Sequence, residues 1–388
     1  MVFTVEGRTN NGVRIIQLND LIEKVERQIR DPQMQEALAF WKRFYSLEEP
    51  NRVPLKVTLT MRFFAETLNI DLIDHYRKPE KYLEDSLRIL QFQHEQILDD
   101  RVKRGIVVNF GEGFEASLFG SKPTFKPDMD PILGAPIIEK EDDLESLDYP
   151  DFYRSGLMPN IIETYETAER TVKGRVPVFF ENWDRSPWGV AFHLRGFQNL
   201  LEDVYERPDF AHRLLAFITE SRIRWEKEKE RFLGRKTEQA SLYSDEVHSE
   251  ILDIGTYKEF AYPYDRKLAE FYPEGIFYFH SCGNITPFLE TITSIRGLRL
   301  LHISPATAFE IAAKKLGRQF VLQKRMDPTI DLESSDVLAM ESRIKRDLRT
   351  GRNTIMELDP GPIQDASLER VKMWISLARK AIREERDL

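Results

Sequence analysis

The stretch GIFYFHSCGNITPF, Gly275–Phe288, has two parts. Ile276 to Phe279 is a short β-branched and aromatic run, the composition of a strand. Gly283-Asn284 then turns the chain. Between them stand His280 and Cys282, the latter the only cysteine among 388 residues. Two positions apart on a strand, their side chains face the same way. An apolar strand whose polar residues gather at its C-terminal end fits a barrel that does its chemistry at one face.

Seven more stretches repeat this form. VPLKVTL (Val53–Leu59), GIVVNFG (Gly105–Gly111), VPVFFEN (Val176–Asn182) and ASLYSDE (Ala240–Glu246) precede it. LRLLHIS (Leu298–Ser304), QFVLQKR (Gln319–Arg325) and NTIMELD (Asn353–Asp359) follow. Amphipathic stretches of helical period separate them. The alternation predicts an α/β fold, a (β/α)8 TIM barrel over residues 53–388, with an N-terminal helical extension over residues 1–52. The connection Glu115–Phe152, rich in Pro, Asp and Gly, is too long for a plain connector and is expected to fold over the barrel mouth.

The bulk numbers narrow the function. Charged residues make up 31% of the chain and hydrophobic ones 41%, a globular composition rather than a disordered one. A net charge of −9, with Lys and Arg interleaved among Asp and Glu, argues against a nucleic-acid partner. No window approaches the ~18 apolar residues of a spanning helix, so no membrane association is expected. The N-terminus lacks the pattern of a signal peptide, and a lone cysteine suits a reducing compartment. Both point to the cytoplasm.

Polar residues crowd the predicted strand ends: Asn109 and Glu112, then Glu181, Trp183, Asp184 and Arg185, then Asp245, Glu246 and His248, then His280 and Cys282. An imidazole and a thiolate suit zinc. The plain alternative is a buried thiol and a histidine that satisfies backbone groups. Glu112, Trp183, Arg185, Tyr243 and Arg325 are candidates for gripping a substrate. Trp183 and Trp188 read better as lid packing and His302 as a satisfied core histidine, while Glu181 and Asp184 also read as ion-pair partners of Arg185 or Arg195.

Four segments resemble the uroporphyrinogen decarboxylase superfamily: SLFG (Ser117–Gly120), DIGTYKEFAYPYDRKLAEFY (Asp253–Tyr272), FHSCGNITPFL (Phe279–Leu289) and LERVKMWISLARK (Leu368–Lys380). The cofactor-free decarboxylases of that superfamily carry an Arg-rich segment of which only Met61 and Arg62 stand here, and no aspartate is evident at the end of the second strand. The resemblance therefore implies the other branch, zinc methyltransferases that work with corrinoid proteins. His280 and Cys282 match its H-x-C ligands. The last barrel loop, ELDPGPIQDA, has no cysteine to complete them. Members acting on methoxy groups imply carboxylate ligands instead: Glu259 in the YKEF helix, and Glu246 or Asp245 at the end of strand four. Glu357 or Asp359 would occupy the place of the missing cysteine.

The resemblance thus implies a metal set of Glu246, Glu259, His280 and Cys282, with His280, Glu259 and Asp245 in catalytic roles. The implied reaction is methyl transfer from a methoxylated small molecule to the corrinoid of a partner protein, with zinc as Lewis acid. Transfer from a methylcorrinoid to a thiol is the reverse-type alternative. Metal-free decarboxylation of a non-porphyrin substrate, gripped by Arg62, Arg185, Lys324 and Arg325, is another. A non-catalytic binding barrel is the last.

Overall fold

The computed structural model describes residues 7–48, 52–334 and 336–386. Its strands, in chain order, are β1 (Ile106–Val107), β2 (Thr124–Lys126), β3 (Met129–Ile132), β4 (Val178–Phe179), β5 (Gln239–Tyr243), β6 (Gly275–His280), β7 (Leu300–Ile303), β8 (Val321–Arg325) and β9 (Ile355–Asp359). Strands β5 to β9 form one parallel sheet in chain order, and β1 pairs with β4 in parallel. A parallel bridge from Arg185 to Tyr243 joins that pair to β5. Bridges from Leu55 to Leu358 and from Leu59 to Ile363 join the 53–59 segment to the last strand. Seven of the eight expected stretches carry a strand, and the 53–59 stretch joins by these two isolated bridges alone, completing a (β/α)8 TIM barrel.

Closure at the 53–59 segment depends on a few residues. A Cβ at Gly361 would lie 2.2 Å from the Thr58 carbonyl oxygen, so only glycine lets the last loop pass the first strand. On the other side of that strand, side chains take the place of ladder bonds: the Leu55 and Val57 amides donate at 2.8 Å to the carboxylates of Asp100 and Asp99.

The period-two alternation of the strands builds layers inside the barrel. Tyr278, Leu300, Val321 and Ile355 are register neighbours and make the lowest layer. The helix Pro32–Tyr45 plugs that layer with Phe40, Trp41 and Phe44. It starts at Pro32 because Asp31 caps the Gln33 amide and proline pre-sets the first turn. One step up, His280 lies beside Tyr243, and His302, Gln323 and Glu357 are neighbours in turn. The uppermost layer holds Asp245, Cys282, Ser304, Arg325 and Asp359, two residues further along each strand. The interior therefore runs from apolar at the plugged end to polar at the open one.

The 115–152 connection differs from expectation. Its β2–β3 hairpin packs on the helices Met61–Leu68 and Leu72–Arg77, tied by the Tyr76 hydroxyl donating to Asp130 at 2.5 Å. Between Lys122 and Phe152 it contributes no residue to the cavity described below. A hairpin satisfies its own backbone and can settle on the apolar tops of nearby helices, so it is not forced across the mouth.

Asp265, in the helix Tyr262–Phe271, is fully buried with neither carboxylate oxygen hydrogen-bonded. Burial raises its pKa from 3.8 to about 8, and Arg222 only partly opposes this. The folded chain thus keeps a proton that the unfolded chain releases, and stability falls as pH rises from 3.8 towards 8. Asp265→Asn is expected to raise the urea midpoint relative to wild type at the upper end of that window, with the gain shrinking towards its lower end. A gain independent of pH would contradict this.

Candidate functional site

A cavity of about 520 Å³ opens at the C-terminal ends of the strands. At its base, Tyr243 and His280 face inward as a register pair, their rings 4.9 Å apart. Two residues on, Asp245 and Cys282 project to the same side. His280 Nε2 lies 3.1 Å from Asp245 Oδ1 and 3.3 Å from Cys282 Sγ, and the Cys282 amide donates to Asp245 Oδ1 at 3.2 Å. One oxygen, one nitrogen and one sulfur thus lie within 4.8 Å of one another, the one group of metal-capable side chains among the described residues.

The electrostatics suit a cation. Desolvation alone would raise the Asp245 pKa, but the hydrogen bond and charge of His280, with Arg185 beyond, hold its carboxyl far below the ordinary range. Cys282 is exposed as a residue, yet desolvation of its sulfur and the neighbouring Asp245 carboxylate push the thiol up to about 12. A bound cation at this point would reverse that shift and yield the thiolate. The donor set is borderline-soft and mixed, as zinc accepts.

His302 is a second buried imidazole. Its ring stacks on His280 at 4.1 Å, its Nδ1 bonds the Ser281 carbonyl at 2.6 Å, and its Nε2 has no partner. Burial and the neighbouring His280 hold its pKa well below the usual range, so it stays neutral. It lines the cavity, and is no satisfied core residue. Its position on an inward-facing strand end was the available sequence signal.

The other expected site residues divide. Arg185, Tyr243, Arg325 and Glu112 line the cavity. Arg185 bonds Glu246 at 2.9 Å and lies 3.5 Å from Asp245, while Arg325 lies 3.5 Å from Asp359. Three residues fall elsewhere. Glu246 does not line the cavity: in the turn that follows β5 it points away from Asp245, pairs with Arg185 and lies 3.6 Å from His193. Glu259 sits exposed on the π-helical turn Tyr257–Ala261, outside the cavity. Trp183 is buried between Phe119 and Trp225, so it packs the wall and touches no substrate space.

The possible replacements for a missing cysteine are also committed. Glu357 belongs to the layer below, where it accepts from Gln323 and Tyr45, and Asp359 accepts from Thr58 at 2.6 Å. Glu181 does not pair with arginine. It is buried and accepts from the Phe110 and Asn182 amides and the Asn109 side chain, and burial raises its pKa well above the ordinary value. Arg195 pairs with Asp203 at 2.7 Å instead. Asp184 lines the cavity, with burial raising its pKa to about 6. Glu115, which receives the Arg185 amide at 3.0 Å, escaped sequence reasoning because it lies beyond a strand end in a four-residue helix.

Comparison with known proteins agrees with this architecture. A uroporphyrinogen decarboxylase of Campylobacter lari is 23% identical over 272 residues, 66% of this chain and 74% of its own. One of Cellvibrio japonicus is 26% identical over 198 residues, covering 47% of this chain and 52% of the relative. A solved structure, a methyltransferase from Methanosarcina mazei, superposes with a TM-score of 0.67 at 16% identity, over 87% of this chain and 96% of that one, and so shares the fold. No described helix is long and apolar enough to cross a membrane. Residues 61–381 match the uroporphyrinogen decarboxylase (URO-D) pattern, and with that span, the barrel and the inward-facing His280 strand in hand, the chain belongs to the URO-D family.

Proposed function

We propose that this protein is a zinc-dependent methyltransferase that takes a methyl group from a methoxylated small molecule and passes it to the corrinoid of a partner protein. The observation that carries the reading is the Asp245, His280 and Cys282 donor set at the base of an open cavity. The structural likeness to a methyltransferase supports it.

The decarboxylase alternative is less well supported. Of the four cations that would grip a polycarboxylate, Arg62 pairs with Asp365 outside the cavity and Lys324 is buried near Asp347. Arg185 and Arg325 line the cavity but already face carboxylates.

Asp245, His280 and Cys282 would hold the zinc. Bound there, zinc would supply a Lewis acid for the ether oxygen, and the partner's corrinoid the methyl-accepting cobalt. Arg185 steadies Asp245 from the side. Phe114, Tyr243 and Met326 give the cavity an apolar wall for the body of the substrate. Even with Glu181 left out, Glu112, Glu115, Asp184, Asp245 and a zinc-bound Cys282 thiolate would outweigh the two arginines and the ion, which favours a neutral methoxylated compound over an anionic one.

Protein purified without chelator is expected to carry about one zinc per chain. Mixed with a neutral methyl ether and a reduced corrinoid protein, it should convert Co(I) to methyl-Co(III) in the visible spectrum. Absence of metal after zinc is supplied, or carbon dioxide release from a carboxylated substrate by metal-free protein, would overturn the reading.

A further inference from the structure

Below the donor set the barrel interior holds a run of buried hydrogen bonds that ends on the N-terminal helix. His280 Nδ1 lies 3.0 Å from the Tyr278 hydroxyl, which donates to Gln323 Oε1 at 2.5 Å. Gln323 Nε2 donates to Glu357 Oε1 at 2.6 Å. The Tyr45 hydroxyl donates to Glu357 Oε2 at 3.0 Å, and Lys56 Nζ lies 3.5 Å from Oε1. Tyr278, Gln323 and Glu357 are each buried.

The direction of this run is set from its far end. A carboxylate only accepts, so Glu357 turns the Gln323 amide nitrogen towards itself. The Gln323 oxygen then faces Tyr278 and takes the single hydroxyl proton. With that proton committed, the Tyr278 oxygen is left to accept, and the donor available to it is Nδ1–H of His280. We infer that Tyr278, Gln323 and Glu357, anchored by Tyr45, are positioning residues that hold His280 with a proton on Nδ1, so that Nε2 is the nitrogen left facing Asp245 and Cys282.

The run is more than packing. Apolar side chains would fill the same space without the cost of burying polar groups, and a partly satisfied network would be worse than none. Here both Glu357 oxygens and both ends of the Gln323 amide are partnered. Nε2 faces the Asp245 carboxylate oxygen at 3.1 Å, a gap that a proton on Nε2 bridges in the metal-free chain and that a cation would take over. A ring locked by its other nitrogen presents Nε2 to such a charge with little reorganisation. Tyr45 precedes the family-matched span 61–381, so the helical extension belongs to this device as well as to the fold. The expected effect on zinc affinity rests on the proposed function. The tautomer does not.

The test uses the full chain labelled with 15N-histidine. In metal-free protein at about pH 9, the nitrogen shifts of His280 should report a protonated Nδ1, with the signal assigned by its loss in His280→Gln. Tyr278→Phe should shift it to a tautomer mixture. Zinc affinity, read by chelator competition, should fall about 10- to 100-fold in Tyr278→Phe and Gln323→Leu, and by a smaller factor in Tyr45→Phe. If Tyr278→Phe does not fold, Gln323→Leu carries the same comparison. An Nε2–H tautomer in wild type, or zinc affinity and tautomer unchanged in both Tyr278→Phe and Gln323→Leu, would overturn the inference. Wild type that shows a protonated Nδ1 but takes up no zinc would leave the positioning chain standing and remove the methyltransferase reading.

Discussion

His280→Ala should abolish stoichiometric zinc and lower methyl transfer by about 1000-fold, the rate equivalent of roughly 4 kcal/mol of lost transition-state stabilisation. His280 is the centre of the donor set: both Asp245 and Cys282 lie within 3.3 Å of its Nε2. Removing it leaves two ligands whose own approach depends on the ring. The fold should survive, because the side chain fills a polar layer beside an open cavity and the strand's ladder partners are backbone groups. The loss should appear in kcat and kcat/KM together, since a Lewis acid at the leaving oxygen acts in the transition state. Elemental analysis, steady-state rates and the thermal midpoint, measured on one preparation, separate these outcomes. Full zinc content with unimpaired turnover would remove His280 from the site. Cys282→Ser distinguishes the third donor: retention of metal and rate would make the sulfur a packing group.

The second large effect concerns stability. Phe44→Ala is expected to cost about 3–5 kcal/mol. Phe44 is fully buried, stacked on Phe40 and set edge-on against Trp41, in the cluster that closes the lower end of the barrel over Leu300, Val321 and Ile355. A small residue there would open a cavity that four strands and a helix, all tied elsewhere, cannot collapse to fill. The same helix carries Tyr45 to Glu357 one residue later, so the variant should also weaken zinc binding. Chemical denaturation gives the first quantity and chelator competition the second. A midpoint shift below about 1 kcal/mol would mean that the helix rests on the barrel without plugging it.

Much of the barrel is legible from local pattern. Each strand is a short β-branched or aromatic run with a polar end, and both features can be read from the residues alone, because side-chain alternation and strand propensity act over a few positions. For the same reason His280 and Cys282 are recognisable as same-face neighbours, and the N-terminal segment as helices. The ligand partner is not legible. Asp245 and Glu246 are adjacent and chemically alike, and only the register of Tyr243 with His280 places Asp245 at the cavity and Glu246 against Arg185. Glu259 looks equivalent by resemblance, but it stands on the exposed side of a π-helical turn whose Tyr257, Phe260 and Ala261 face the core. Glu357 looks like a replacement ligand, but strand stagger puts it one layer too deep, where Gln323 and Tyr45 engage it. Residues this far apart in the chain meet only after the barrel closes. Sequence by itself therefore determined the alternation, the eight strands and the polar strand ends, which are short-range properties of the chain. Which of those ends converge, and at what depth, was decided by register and closure, which depend on contacts between distant segments that no local pattern encodes.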